Sequence, residues 1–266
     1  MLDGRLYRHV DWPLIAAILV LCAIGVAMIY SATFEPTVDA VGPQFGMQFY
    51  ALLLGGVVFA ICLGVDYRVV ADYALFIYGG VLAALVLVLL VGEISGGSQR
   101  WLRLGALNIQ PSEFAKLGLA VLLANYFSET RRGSVEIPDI LMVGIFTAVP
   151  FVLIAKQPDL GTSVGLLAVA LGVTYLAGLR MRWLAILATL ALLLAPVAWN
   201  YWLEPYQQER LVTFFDPARD AHGAGYQQIQ AQITAGSGGL AGKGFLQGTH
   251  GQFNFLPVAH NDFIFS

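Results

Sequence analysis

Apolar residues do not alternate with polar ones along most of this chain; they run on, without interruption, for the length of a bilayer. Segments 13–33, 47–65, 73–92, 112–128, 139–155, 162–179 and 183–202 are each dominated by Leu, Val, Ile, Ala and aromatic residues. About 20 apolar residues in a helix span the ~30 Å hydrocarbon core of a bilayer. The pattern therefore predicts an all-α polytopic membrane protein of about seven complete transmembrane helices, with an eighth beginning at Phe263. Gly25, Gly55, Gly56, Gly79, Gly80, Pro150 and Pro196 fall inside these segments, where they suit close helix approach and local kinks. Between the seventh segment and Phe263 the pattern changes to a long polar loop, 203–262. Within it the residues from Tyr226 mix polar and apolar positions as an amphipathic surface helix does. No shift of composition separates a soluble domain, so residues 1–266 form one membrane domain.

Composition agrees. The chain of 266 residues is 58% hydrophobic and 12% charged, against about 25% charged for a soluble domain. Basic residues are scattered and the net charge is −3, which argues against nucleic acid as a partner. Cys22 and Cys62 both lie in apolar runs and behave as small hydrophobes. Arg5 and Arg8 precede the first run as in a signal peptide, but the run is too long for one and more follow.

Basic residues in short loops set orientation. With the N-terminus cytoplasmic, Arg5, Arg8, Arg68, Arg131, Arg132, Arg180 and Arg182 all fall inside. The outer side then receives Arg100, Arg103, Lys156, Arg210, Arg219 and Lys243, against the usual bias. Such cations are candidates for binding an anion.

Three stretches could carry chemistry. The first runs from Gly96 through Gln99-Arg100-Trp101-Leu102-Arg103 to Gln110-Pro111-Ser112-Glu113-Phe114-Ala115-Lys116. Pro111, Ser112 and Glu113 have helix-start chemistry, and Glu113 and Lys116 stand at i,i+3. A cap with a local ion pair explains them; so does an internal polar cavity, the usual setting of charges within a span. Trp101 suits an interfacial anchor. The second is Lys156-Gln157-Pro158-Asp159-Leu160-Gly161-Thr162, a tight connection in which Asp159 could cap the next helix, or with Lys156 line the same cavity. The third is the glycine-rich run 236–244, containing Lys243, which leads to His260-Asn261-Asp262. The run lacks a Walker A pattern. Asp262 could cap the eighth helix. A carboxylate at a cavity mouth also suits general-base work, since partial desolvation raises its pKa. His260 could carry a proton, bind a metal or hydrogen-bond within the loop.

In these three stretches the chain resembles the SEDS family (shape, elongation, division and sporulation). Gln99 to Leu102 with Gln110 to Lys116, Gln157 to Thr162, and Gly236 to Phe265 look like three family motifs in the family's order. The Gly242-Lys243-Gly244-Phe245 wording is more like the elongation branch than the division branch. The resemblance implies a ten-helix fold, so that this chain would be C-terminally incomplete. It implies a peptidoglycan glycosyltransferase of the bacterial cytoplasmic membrane that polymerises lipid II on the outer face, beside a class B penicillin-binding protein. Asp262 falls on the family's essential loop acid, and Trp101, Glu113 and Lys116 on positions lining a central cavity. With Arg100, Arg103, Lys156, Asp159, Lys243 and His260 they make up the candidate substrate-binding set. Val258 stands where Glu is usual and Asn261 where Thr is usual. Whether a divalent Mg or Mn ion serves as cofactor is left open. A lipid II flippase and a non-enzymatic scaffold for the penicillin-binding protein are the competing functions.

Overall fold

The structure is a computed structural model that describes residues 11–35, 40–95, 98–104, 107–130, 134–220, 223, 225–239, 242–244, 246 and 264. Seven long helices stand where the apolar runs predict them: α1 (Trp12–Thr33), α2 (Pro43–Gly64), α4 (Ala74–Val91), α5 (Pro111–Thr130), α6 (Ile137–Ala155), α7 (Leu160–Leu176) and α8 (Met181–Tyr201). A short helix, α3 (Tyr67–Asp72), lies between α2 and α4. Five helices among the described residues, α1, α2, α4, α6 and α8, are long and apolar enough to cross a membrane. The other two fall short for physical reasons. Helix α5 carries Glu113, Lys116 and Glu129, and α7 has 17 residues. The start of the expected eighth helix lies outside the described residues.

The chain divides into two compact units. One contains Leu63–Pro196. Its core is built by α4, α5, α6 and α7 around Tyr78, Leu85, Leu119, Leu123, Ile154 and Leu166. Small residues at Ala74, Ala115, Gly118 and Ala170 let these helices approach closely. At Gly118 a Cβ would stand 3.5 Å from Val81, so α4 leaves room for a methyl group and little more. The Tyr78 hydroxyl donates to the Phe146 carbonyl at 2.7 Å, tying α4 to α6. Polar capping starts α6: the Asp139 carboxylate accepts from the Glu136 N–H at 2.9 Å and from the Tyr126 hydroxyl at 2.9 Å.

The structure adds strands that hydropathy did not reveal. Between α4 and α5 runs an antiparallel meander of β3 (Glu93–Ser95), β4 (Ser98–Leu104) and β5 (Leu107–Ile109). Arg103 pairs with Asn108 and Leu102 with Ile109 in its second hairpin. The Gln99 side chain fastens β4 to the end of α4 by donating to the Gly92 carbonyl at 2.8 Å.

The other unit contains Met1–Cys62 and Val197–Ser266. Asp11 caps α1, accepting from the Leu14 N–H at 3.1 Å. A two-stranded hairpin, β1 (Phe34–Glu35) with β2 (Ala40–Val41), leads into α2, and Tyr30 packs edge-on against Phe45. Neither helix has a buried residue, although both are apolar on every side, the composition of a membrane span. The described part of the polar loop contains α9 (Pro205–Phe215), a 3-10 turn (Pro217–Asp220) and α10 (Tyr226–Gly238). The amphipathic stretch from Tyr226 is thus a helix. Its entry needs Gly225, because a Cβ there would collide with the Pro217 carbonyl oxygen.

Candidate functional site

The polar residues of the first two motifs meet at one end of the four-helix core. Helix α7 begins with Asp159 as its cap. One carboxylate oxygen accepts from the Thr162 N–H at 3.2 Å, and the other accepts from the Thr162 hydroxyl at 2.9 Å. The capping reading of Asp159 is therefore correct, and it is half the account. Gln110, between β5 and α5, donates its amide to the second oxygen at 3.0 Å. From β4, the Arg100 guanidinium stands 3.9 Å from the first. Asp159 is 6% exposed. A carboxylate so buried requires partners, and it takes them from three separate segments.

Gln157 fixes the connection that carries Asp159. It is fully buried and donates to the Leu85 carbonyl of α4 at 3.0 Å. Three buried polar atoms around this region have no hydrogen-bond partner among the described residues: Arg100 Nε, Ser112 Oγ and Gln157 Oε1. Ser112 lies in the first turn of α5 with no solvent exposure.

One turn along α5, Lys116 and Glu113 form the ion pair their spacing predicts, with Nζ–Oε distances of 2.9 and 3.0 Å. The Lys116 stem crosses α7 at Gly165, where a Cβ would lie 3.7 Å from Lys116 Cδ. A methyl group at 165 would rest in ordinary contact with the lysine stem.

The remaining candidates are placed as follows. Trp101 is half-buried on β4, and Arg103 is exposed on the same strand. Lys156 is exposed at the C-cap of α6, and the partners that Asp159 takes are Arg100, Gln110 and Thr162. Lys243 is exposed and belongs to the other unit. His260 and Asp262 lie outside the described residues. Sequence reasoning left Gln110, Gln157 and Thr162 out of the candidate set. Only Thr162 had a local signal, its cap spacing from Asp159.

Among the described residues no three His, Cys, Asp or Glu side chains come together as a metal site requires. Asp159 already has both oxygens engaged and a cation beside it. These donors do not fit a divalent ion. A cavity of about 70 Å³ lies at the opposite end of the core, lined by Phe127, Thr130, Ser134, Val135, Asp139 and Ala177.

Apolar helices of membrane-spanning length, together with a buried, charge-bearing polar cluster, define an integral membrane protein with a built polar site. Residues 12–266 match the family described as "Cell cycle protein", which takes in FtsW, RodA and SpoVE. The chain belongs to this family, the SEDS proteins. It is similar to the peptidoglycan glycosyltransferase MrdB of Escherichia coli K12, 36% identical over 262 residues that cover 97% of this chain and 68% of MrdB. It is also similar to a probable peptidoglycan glycosyltransferase FtsW of Thiomicrospira cyclica, 34% identical over 97% of this chain and 67% of that protein. Among solved structures, a chain of a peptidoglycan synthase complex that coordinates polymerisation and crosslinking superposes with TM-score 0.71 at 33% identity, over 87% of this chain and 67% of its own. An aspartate-to-alanine variant of the rod-shape-determining protein RodA of Thermus thermophilus gives TM-score 0.60 at 27% identity, over 93% of this chain and 83% of its own.

Proposed function

We infer that this protein is a peptidoglycan glycosyltransferase, an integral membrane enzyme that polymerises lipid II into glycan strands on the outer face of the bacterial cytoplasmic membrane. The observation that carries this reading is the 36% identity to MrdB across 97% of the chain. The shared fold, at TM-score 0.71, with a chain of a complex that polymerises and crosslinks peptidoglycan supports it. The N-terminus faces the cytoplasm, and a class B penicillin-binding protein that crosslinks the product is the partner.

In the reaction, the Asp262 carboxylate takes the proton from the 4-hydroxyl of the acceptor N-acetylglucosamine. The freed oxygen attacks the anomeric carbon of the donor N-acetylmuramic acid with inversion. As the new C–O bond forms, the bond from that carbon to the pyrophosphate oxygen breaks, and undecaprenyl pyrophosphate leaves with the electron pair. General-base assistance of this kind contributes ~10²–10⁴-fold. Charge grows on the departing phosphate, and fixed cations there lower the barrier. Arg100, Arg103, Lys116, Lys156 and Lys243 are the cations assigned to that task. They are not equivalent: Lys116 is neutralised locally by Glu113, whereas Arg100 holds Asp159 only at 3.9 Å.

Purified protein, incubated with a class B penicillin-binding protein on fluorescent lipid II, tests the reading. Polymer is expected from the wild type and none from Asp262→Ala of unchanged melting temperature. Near-normal polymer from that variant removes the base assignment. Lipid II crossing liposomes without polymer shows a flippase instead, and neither outcome with retained binding of the partner shows a scaffold.

A further inference from the structure

Asp159 and Arg100 are oppositely charged and adjacent, yet they do not close on one another. At 3.9 Å the contact is at the outer limit of an ion pair, well beyond the 2.7–2.9 Å of a charge-assisted hydrogen bond. The reason lies on the carboxylate. Thr162 supplies two donors to it, and Gln110 a third, at 3.0 Å on the second oxygen. A guanidinium binds a carboxylate best through both oxygens at once, with two parallel N–H donors. Here neutral donors already hold both oxygens, and the bidentate seat is taken. Arg100 is consequently kept near its counter-charge without being consumed by it. Its Nε is buried and lacks an acceptor among the described residues, while a third of the side chain is open to solvent.

Gln110 is the donor that decides this. The Thr162 donors belong to the cap of α7 and would persist in any arrangement of β4. Gln110 approaches from the strand side, and it leaves the same β-meander that carries Arg100. Its amide adds no charge, so it satisfies the carboxylate without competing for an anion.

We propose that Gln110 is a positioning residue that keeps Arg100 available to a phosphate oxygen of the substrate, by occupying the second Asp159 oxygen, which a guanidinium facing the first must also reach to close a bidentate ion pair. The identity of the anion rests on the glycosyltransferase reading; the competition between Gln110 and Arg100 for Asp159 does not.

The test is second-site rescue, read by the dissociation constant of undecaprenyl pyrophosphate for the full chain in detergent and by kcat and KM on lipid II. Gln110→Ala leaves the second oxygen with the Thr162 hydroxyl alone, Arg100 closes on Asp159, and binding weakens by about tenfold, the scale of one charge-assisted hydrogen bond. Asp159→Asn is then added. Asn remains a good helix cap but cannot capture a guanidinium, so the double variant recovers binding to within about threefold of wild type. A Gln110 that served only as structural support would not be rescued by a second lesion. Failure of Asp159→Asn to restore binding in a double variant of wild-type melting temperature overturns the proposal, as does unchanged binding in Gln110→Ala. Gln110→Met, closer in volume, carries the same test if the alanine variant does not fold. Wild-type protein that binds undecaprenyl pyrophosphate and shows the rescue, but makes no polymer, removes the glycosyltransferase reading and leaves the positioning role standing.

Discussion

Buried carboxylates are costly unless donors surround them, and two among the described residues are handled alike. Asp159 at the start of α7 and Asp139 at the start of α6 are 6% and 2% exposed. Each caps a helix with one group and reaches another segment with a second. For Asp139 the second is the Tyr126 hydroxyl at 2.9 Å. Tyr126→Phe leaves the Glu136 N–H as partner but deprives a buried anion of one donor. We expect a loss of about 1–3 kcal/mol of stability, visible as a lower melting temperature in detergent. An unchanged melting temperature would show that a solvent molecule from the adjoining cavity replaces the hydroxyl. The polymerisation rate at low temperature should be unaffected, because Asp139 lies at the start of α6 and Asp159 beyond its other end.

At the scale of elements, the four-helix core depends on how closely α4 and α5 run. Lipid gives helices little hydrophobic reason to associate, so small residues that permit close van der Waals contact take that role. Gly118 is such a position: a Cβ meets Val81 at an ordinary 3.5 Å. Gly118→Ala is therefore expected to be neutral or slightly stabilising, since alanine also favours helix. Gly118→Leu has no room and should destabilise by about 1–3 kcal/mol through forced repacking. Thermal denaturation of the pair checks this, and equal melting temperatures would mean that α4 yields freely. The meander β3–β5 matters on the same scale. It carries Arg100 and Trp101 on β4 and ends at Gln110, so it delivers one face of the polar cluster to the start of α7.

For the whole molecule, the assignment of function depends on which side of the membrane holds this cluster. The orientation rests on seven basic residues, among them Arg68 and Arg180, in segments assigned to the inside. With Cys22 and Cys62 replaced, a single cysteine at Arg103 should react with a membrane-impermeant maleimide on intact spheroplasts, and one at Arg180 only after permeabilisation. The reverse labelling pattern would put the cluster on the cytoplasmic side and exclude it from lipid II polymerisation outside.

The limits of what could be read from the residues follow from range. Apolar runs are local and long, so all seven principal helices were legible, to within a few residues at most ends. The Glu113–Lys116 pair and the Asp159 cap of α7 were legible too, because both join groups three residues apart in the chain. The meander was not. Its strands are as short as three residues, and they sit among the glycines and arginines of a connection. Nor were the bonds from Gln110 to Asp159 and from Gln157 to Leu85, which join residues 49 and 72 positions apart.

By itself, then, the sequence determined a chain of bilayer-length helices, its family, and the residues with chemistry to offer, since hydropathy and motif are properties of neighbours in the chain. Only the tertiary structure decided that Arg100 rather than Lys156 stands beside Asp159, and that Gln110 holds the other oxygen of that carboxylate. Which donor reaches a buried carboxylate depends on how α4, the meander and the α6–α7 connection pack together, and that packing has no local signature.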